Sequence, residues 1–160
     1  MSSRNVTDHL ADQLAIRHLL DRYTDAMNRR DWTALESAFC RDGAWNAGGP
    51  AMPAMSFHFE GAAACAQGIA GLVDPLALCI QSNHAPCIKV DGDRATATST
   101  INEIVMPPGA TQSTTIWGMY FDEIVLEADG EWRFKSRTFR FAWIATDGSP
   151  GQVIAQPPRP

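Results

Sequence analysis

Residues 114–143, TTIWGMYFDEIVLEADGEWRFKSRTFRFAW, decide the fold class because they predict two long strands joined by a tight turn. Both halves are rich in β-branched and aromatic residues, and Asp129-Gly130 between them favours a two-residue hairpin turn. The same signal occurs upstream at Asp91-Gly92. The predicted strands cover 87–90, 95–106, 114–126 and 131–143. The second half of the chain is therefore predicted to be an antiparallel meander.

The first half of the chain is predicted to be mainly helical. Apolar residues recur at helical spacing over 7–28. A second short helix is predicted over 31–39, with the aspartate at its start as the cap. A Gly- and Pro-rich loop spans 48–55, a short strand follows around 57–59, and a helix of small residues covers 61–74. Helices followed by a run of strands indicate an α+β fold and not alternating βαβ units.

The composition is typical of one ordinary globular domain. The chain has 160 residues, 45% of them hydrophobic, and a net charge of −5. We expect a single domain over 1–160, with an irregular Pro- and Gly-rich tail over 145–160. Negative charge without a basic stripe predicts no nucleic-acid binding. No apolar run approaches the ~20 residues of a membrane span, so no membrane association is expected. Four cysteines without paired spacing predict buried, reduced thiols in a cytoplasmic protein.

Several short segments, in their order and spacing, resemble the SnoaL-like branch of the nuclear transport factor 2-like superfamily. They are Tyr23, Asn28-Arg29-Arg30-Asp31-Trp32, Asn83-His84-Ala85-Pro86, the turn at 90–95 and the stretch 129–137. The resemblance runs from about 12 to 141. It implies a cone-shaped, curved antiparallel sheet wrapped around N-terminal helices, a cystatin-like α+β barrel with an apolar pocket at its open end. The family includes scytalone dehydratase, bile acid 7α-dehydratase and hexachlorocyclohexane dehydrochlorinase, so fold alone does not give the reaction.

The resemblance implies four candidate catalytic residues: His84, Tyr23, Asn28 and Arg137. Tyr23 matches a pocket tyrosine of the family's dehydratases, and Arg137 matches a pocket arginine of its dehydrochlorinases. Asn28 stands where the dehydratases carry an aspartate, and their usual catalytic histidine falls at or next to Gln81. Both changes argue against an Asp–His dyad and leave His84 as the expected proton-transfer group. Each residue also has a structural interpretation. Tyr23 suits a core position and Asn28 a helix end, whereas strict alternation along the strand points Arg137 towards solvent.

Six further residues are expected to line the pocket: Gln81, Trp45, His58, Phe59, Trp117 and Phe141. His58 lies between Phe57 and Phe59 on a strand, so its side chain points away from theirs, and the sequence does not say whether His58 or the two phenylalanines line the pocket. The aromatic residues suit a flat aromatic or polycyclic substrate. Two strand carboxylates, Glu103 and Asp122, lie among apolar neighbours. One of them facing inward would have a raised pKa and could replace the missing aspartate.

These residues favour a cofactor-independent lyase. It would remove water, or a small carbonyl such as formaldehyde, from an aryl or polycyclic alcohol such as a lignin-derived diaryl diol. Two alternatives stay open: an isomerase or cyclase on a polyketide- or steroid-like ketone, which needs an inward carboxylate, and a non-catalytic small-molecule-binding member of the family. Metal, phosphate and dinucleotide motifs are absent, so neither a metal nor a cofactor is expected. The exposed outer face of a cone-shaped sheet predicts a homotrimer or homodimer.

Overall fold

The computed structural model describes residues 6–49, 52–146, 148, 150 and 153. Its elements are α1 (Val6–Arg29), α2 (Trp32–Ser37), β1 (Phe39–Ala47), β2 (Phe57–Glu60), α3 (Ala62–Val73), β3 (Leu78–Asn83), β4 (Cys87–Asp91), β5 (Arg94–Met106), β6 (Thr114–Leu126) and β7 (Trp132–Ala145). The strands form one sheet in the order β2-β1-β7-β6-β5-β3, and β4 pairs with the opposite half of β5 from β3.

The sheet is curved and unclosed, and its strands pair antiparallel except where β1 runs parallel to β7. The first helix packs the apolar stripe of its second half into the core, with Ile16, Leu19 and Leu20 fully buried. The predicted α+β class, with N-terminal helices against a curved sheet, is confirmed. Asp31 also caps α2 as predicted, because its Oδ1 accepts a hydrogen bond of 3.0 Å from the backbone N–H of Ala34.

The register between β6 and β7 shifts at Lys135, which has no partner on β6. Such a bulge adds one residue to one strand and changes which side chains face inward. Phe134 and Arg137, three positions apart, are therefore both fully buried. The expectation that Arg137 faces solvent is wrong, because it assumed strict alternation through this segment.

Two strands, the end of α2 and one cysteine differ from the sequence predictions. The predicted helix over 31–39 ends at Ser37, and Phe39 begins β1. Neither β1 nor β3 was predicted. All four cysteines are free, and three are buried as expected, but Cys87 is exposed because its side chain points outward from β4.

Of the predicted irregular tail over 145–160, the structure describes residues 145, 146, 148, 150 and 153, and the rest of that prediction lies outside the described residues. Pro150 forms an isolated antiparallel bridge with Gln112. Among the helices described, none is long and apolar enough to cross a membrane. The single domain and the cytoplasmic location stay predictions.

Large apolar side chains are exposed on the side of the sheet that faces away from the core. They are Trp117, Met119 and Phe121 on β6 and Trp143 on β7, with exposed fractions between 38% and 54%. The residues alternating with them on β6 are buried, so the strand is apolar on both sides. We call these four residues the outer aromatic patch.

Candidate active site

A cavity of about 280 Å³ lies between the core-facing side of the sheet and helices α1 and α3. Its walls are apolar and include Trp45, Phe57, Phe139 and Phe141 together with aliphatic side chains of both helices. Glu103 is the one carboxyl group among the described residues that line it. A largely apolar pocket with a single polar group of perturbed acidity is the usual form of a small-molecule site.

The aromatic wall of the cavity is placed by strand alternation and by the close packing of one ring against a glycine of α3. Phe139 and Phe141 point inward from β7, and Trp45 does so from β1. On α3, Gly68 lets the ring of Phe59 approach so closely that a Cβ built on the glycine would lie 2.5 Å from it. Phe59 in turn stacks on Trp45, with ring centroids 5.8 Å apart. The aromatic wall is thus supported from behind and keeps its position.

Glu103 points into the cavity from β5 and is half-buried. Burial raises the pKa of Glu103 above its usual value, because ionisation in an apolar surrounding is unfavourable. A hydrogen bond of 2.9 Å from Gln81 Nε2 to its Oε2 opposes that rise by stabilising the charged form. Its raised pKa makes this carboxyl group a stronger base, once ionised, than an ordinary glutamate.

Asn28 does not line the cavity, but it fixes the strand that carries Gln81. Its Oδ1 accepts a hydrogen bond of 2.7 Å from the Gln81 backbone N–H, and its Nδ2 donates one of 2.9 Å to the Gln81 carbonyl oxygen. The two bonds join the last turn of α1 to the backbone of β3. Asn28, at the position where the resemblance implied an aspartate, thus has a structural role, because its amide links α1 to β3.

Arg137 is fully buried below the cavity and is not part of its lining. Its Nη1 donates a hydrogen bond of 3.0 Å to Oδ2 of Asp122. Its guanidinium carbon lies 4.1 Å from the ring centroid of Tyr23, 3.7 Å from that of Tyr120 and 4.5 Å from that of Phe134. Burial raises the pKa of Asp122 to about 7, although the Arg137 charge acts to lower it. Of the two candidate carboxylates, both face inward, and only Glu103 reaches the cavity.

Tyr23 is likewise buried in the core and absent from the cavity lining. Its hydroxyl lies 3.4 Å from that of Tyr120. Burial raises the pKa of Tyr23 well above its usual value, so the hydroxyl stays protonated. Tyr23 and Arg137 thus lie together in one core cluster, and neither residue lines the cavity that a ligand would occupy.

His84 and Trp117 lie on the outer side of the sheet, contrary to the expectation that they face the pocket. His84 follows the end of β3 and is exposed, and its ring stacks on that of Trp117 at 5.5 Å between centroids. Its backbone N–H bonds to the carbonyl of Thr100, which continues the pairing of β3 with β5 and turns the side chain outward. The expectation that His84 and Tyr23 share a cavity is wrong.

Of the remaining predicted pocket residues, Trp45 and Phe141 line the cavity. His58 is exposed, with its Nδ1 2.6 Å from Oδ1 of Asn46. Phe59 packs behind Trp45 and is not in the lining. The inward residue of this strand that reaches the cavity is Phe57, one of the two phenylalanines that the sequence offered as the alternative to His58. Its signal was the alternation itself, since Phe57 and His58 point to opposite faces.

Larger depressions occur on the outer surface, but their chemistry is less specific. Grooves of about 370 and 580 Å³ follow the outer sides of β5 and β6 and are lined largely by polar and charged side chains. Among the described residues, no group of three or more His, Cys, Asp or Glu side chains is placed to hold a metal ion. The cavity with Glu103 is therefore the candidate active site.

Comparison with known proteins gives the same fold. A scytalone dehydratase-like protein from Novosphingobium aromaticivorans is 22% identical, with a TM-score of 0.75 over 96% of this chain and 97% of that chain. The hexachlorocyclohexane dehydrochlorinase LinA-type3 from Novosphingobium barchaimii is 18% identical, with a TM-score of 0.77 over 88% and 93%. A protein with a cystatin-like fold from Nostoc punctiforme is 19% identical, with a TM-score of 0.62 over 82% and 92%. No curated protein sequence matches the chain. Residues 8–138 match the SnoaL-like domain, and the chain belongs to that family.

Proposed function

We propose that the chain is a cofactor-free lyase or isomerase that removes a proton from carbon in a small, uncharged, mainly apolar substrate. The observation that carries this proposal is Glu103, a carboxyl group of raised pKa that faces an otherwise apolar cavity. Membership of the SnoaL-like family agrees with such a role, since dehydratases and dehydrochlorinases have this fold. Glu103 takes the part that the sequence had assigned to His84.

The chemistry follows from having one proton-transfer group. Glu103 accepts the proton of a C–H bond that an adjacent carbonyl or a hydroxyaryl ring acidifies, and the electron pair of that bond stays on the substrate. In a lyase, the electron pair expels hydroxide, which leaves as water with the proton that Glu103 returns. In an isomerase, the same proton goes back to another carbon of the substrate. Either route uses one face of the substrate, because one carboxyl group performs both transfers.

The size of the cavity limits the substrate. An apolar cavity of about 150 Å³ holds one benzene molecule, so a cavity of about 280 Å³ accommodates about two rings. A larger substrate, such as a steroid or a diaryl diol, would have to extend beyond the mouth. Because no cationic side chain lines the cavity among the described residues, a carboxylate or phosphate beside Glu103 would be repelled.

The inward Glu103 specifically favours the second candidate, an isomerase or cyclase acting on a ketone, because that reaction needs a carboxylate base in the pocket. The lyase candidate also stays open, because Glu103 can replace His84 as its base. A non-catalytic binding protein would keep the apolar walls but would have no use for a carboxyl group in them. Burying a carboxyl group costs free energy because its charged form loses contact with water, and a cavity that only binds ligands would avoid that cost.

The outer aromatic patch supports the proposal of a homotrimer or homodimer. Trp117, Met119, Phe121 and Trp143 lie next to one another on paired strands and form a contiguous exposed apolar surface of the kind that often marks a protein–protein contact. The same strand, β6, is buried on its core side, so a second copy covering the outer side would bury the strand completely.

Hydrogen–deuterium exchange at carbon tests the function. Purified protein is incubated in D₂O with a panel of β-hydroxy ketones, unsaturated ketones and hydroxyaryl alcohols, and proton NMR follows the loss of each C–H signal. Wild-type protein is expected to exchange or convert at least one compound. The Glu103→Gln variant is expected to lower the rate of that reaction by about 10²–10⁴-fold, the usual contribution of a general base. The matched control is His84→Ala on the outer side, which should keep the wild-type rate. Full activity in Glu103→Gln, with loss in His84→Ala, would refute the proposal.

A further inference from the structure

Gln81 stands directly opposite Glu103 in the antiparallel pairing of β3 with β5. Its side chain is buried, with an exposed fraction of 3%, and its Nε2 donates a hydrogen bond of 2.9 Å to Glu103 Oε2. Gln81 is not part of the cavity lining, whereas Glu103 is. The amide therefore approaches the carboxyl group from the side away from the substrate space.

The place of this amide is fixed from behind. Asn28 holds both the backbone N–H and the carbonyl oxygen of Gln81, at 2.7 and 2.9 Å. The edge strand β3 is thus tied to α1 at the residue whose side chain contacts Glu103. Positioning by such rigid elements is more precise than positioning by a loop, and small displacements of a reacting group have large effects on rate.

We propose that Gln81 is a positioning residue that reserves Oε2 of Glu103 and so directs proton transfer through Oε1. This inference rests on the proposed function, because it assigns the reacting oxygen of the same carboxyl group. A carboxyl oxygen that accepts a hydrogen bond from an amide N–H is the less favourable place for a proton, because the hydroxyl oxygen of a protonated carboxyl group is a weaker acceptor than its carbonyl oxygen. The proton taken from the substrate therefore resides on Oε1, beside the substrate, and is available for return.

The bond changes balance in each half of the reaction. In the first half, the substrate C–H bond breaks, its electron pair stays on the substrate and an O–H bond forms at Oε1. In the second half, that O–H bond breaks and its proton goes to the departing oxygen or to another carbon, so Glu103 ends as the carboxylate. Gln81 keeps its hydrogen bond to Oε2 throughout and exchanges no proton.

Direct titration of Glu103 tests the role without any substrate. The full chain is labelled with glutamate carrying ¹³C at the carboxyl carbon, and the Glu103 signal is assigned by its absence in Glu103→Gln. Gln81→Met has a similar length but no donor, so the pKa of Glu103 is expected to rise further, because the ionised form loses its hydrogen bond. Asn28→Ala, which leaves the donor but loosens its anchor, should raise it less. Ser82→Ala, an exposed neighbour on β3, is the matched control and should leave it unchanged.

Kinetics on a substrate found by the exchange panel give the second measurement. Gln81→Met is expected to lower kcat about 10- to 100-fold with little change in KM, since the amide does not contact the substrate. An unchanged Glu103 titration in Gln81→Met, or a wild-type kcat, would overturn the inference, provided that urea unfolding shows the variant to be folded. If no compound reacts, the proposed function fails while the titration still tests the contact. If activity depends on Glu103 but Gln81→Met titrates and reacts like wild type, only the present inference fails.

Discussion

Replacing Asn28 with aspartate restores the residue type of the family's dehydratases, and the structure predicts that this damages the fold. The change substitutes an oxygen for Nδ2, which donates 2.9 Å to the carbonyl oxygen of Gln81. A carboxylate cannot donate, so two oxygens that both carry negative charge would face each other there. Losing this hydrogen bond and leaving the carbonyl unpaired costs about 1–3 kcal/mol of unfolding free energy. For a domain of this size, each kcal/mol lowers Tm by roughly 2–4 °C, so we expect a decrease of roughly 2–12 °C at pH 8.

The destabilisation by Asn28→Asp should depend on pH with a definite sign. The facing carbonyl and partial burial raise the pKa of the introduced carboxyl group in the folded state, because both disfavour its ionised form. Its contribution to stability is then fully present below the unfolded pKa of about 3.9 and is lost as pH rises through the higher folded pKa. Protonated aspartate can donate to the carbonyl, so the variant should approach wild type at low pH.

Urea unfolding followed by circular dichroism from pH 4.5 to 8 measures this difference. Asn28→Ala is the control, because it removes both hydrogen bonds and introduces no titrating group, so its deficit should not vary with pH. The reasoning is refuted if Asn28→Asp equals wild type at pH 8, or if its deficit is the same at every pH.

Three further predictions concern the core, the outer side and the cavity wall. Burial raises the pKa of Asp122 from 3.8 to about 7, so the contribution of Asp122 to stability is fully present below pH 3.8 and is lost as pH rises through about 7. Between pH 3.8 and 7, wild type should therefore lose unfolding free energy relative to Asp122→Asn, which has no carboxyl group to ionise. Urea unfolding curves in which the difference between the two proteins stays constant with pH would contradict this. Trp117→Lys places a charge in the outer aromatic patch and should shift sedimentation equilibrium towards the 17.5 kDa monomer; a wild-type protein that is already monomeric at micromolar concentration would rule out the proposed assembly. Gly68→Ala puts a Cβ 2.5 Å from the ring of Phe59 and should cost about 1–3 kcal/mol in thermal or urea unfolding. Gly71→Ala meets nothing within 4 Å and should instead stabilise α3 by up to about 1 kcal/mol, so equal effects of the two changes would contradict the packing described.

The long strands could be predicted because their signals are local. Alternation and the Asp-Gly turns define β5, β6 and β7 to within about two residues at each end. The first strand has no such signal, since Phe39 and Cys40 are both buried and the next two residues are both exposed. One partner, β2, follows only after the long Gly- and Pro-rich loop, and the other, β7, is a remote parallel strand, so no tight turn in the sequence identifies either pair.

The sequence predicted which residue types form the candidate site, but it did not predict the directions in which their side chains point. The sequence singled out Glu103 and Asp122 as the strand carboxylates of which one could face inward. Both do so, but Asp122 pairs with the buried Arg137 and only Glu103 lines the cavity. The direction of Arg137 depends on the bulge at Lys135, which has no glycine or proline to announce it. The direction of His84 depends on how β3 ends, and counting residues from a motif cannot determine that.

The parallel pairing of β1 with β7 has a consequence for how the chain folds. Phe39 pairs with Phe134, roughly 90 positions later, so closing this part of the sheet requires a loop that spans more than half of the chain. Contacts of such long range slow folding, because the loop must be ordered before the contact compensates for it. During synthesis on the ribosome, β1 and β2 can pair with each other early, but the other edge of β1 stays unpaired until the last strand has been made. A chain truncated before Trp132 would keep the three helices, the β1–β2 pair and the β5–β6 pair but would leave one edge of β1 and one edge of β6 unpaired. We expect such a chain to aggregate rather than to fold partially.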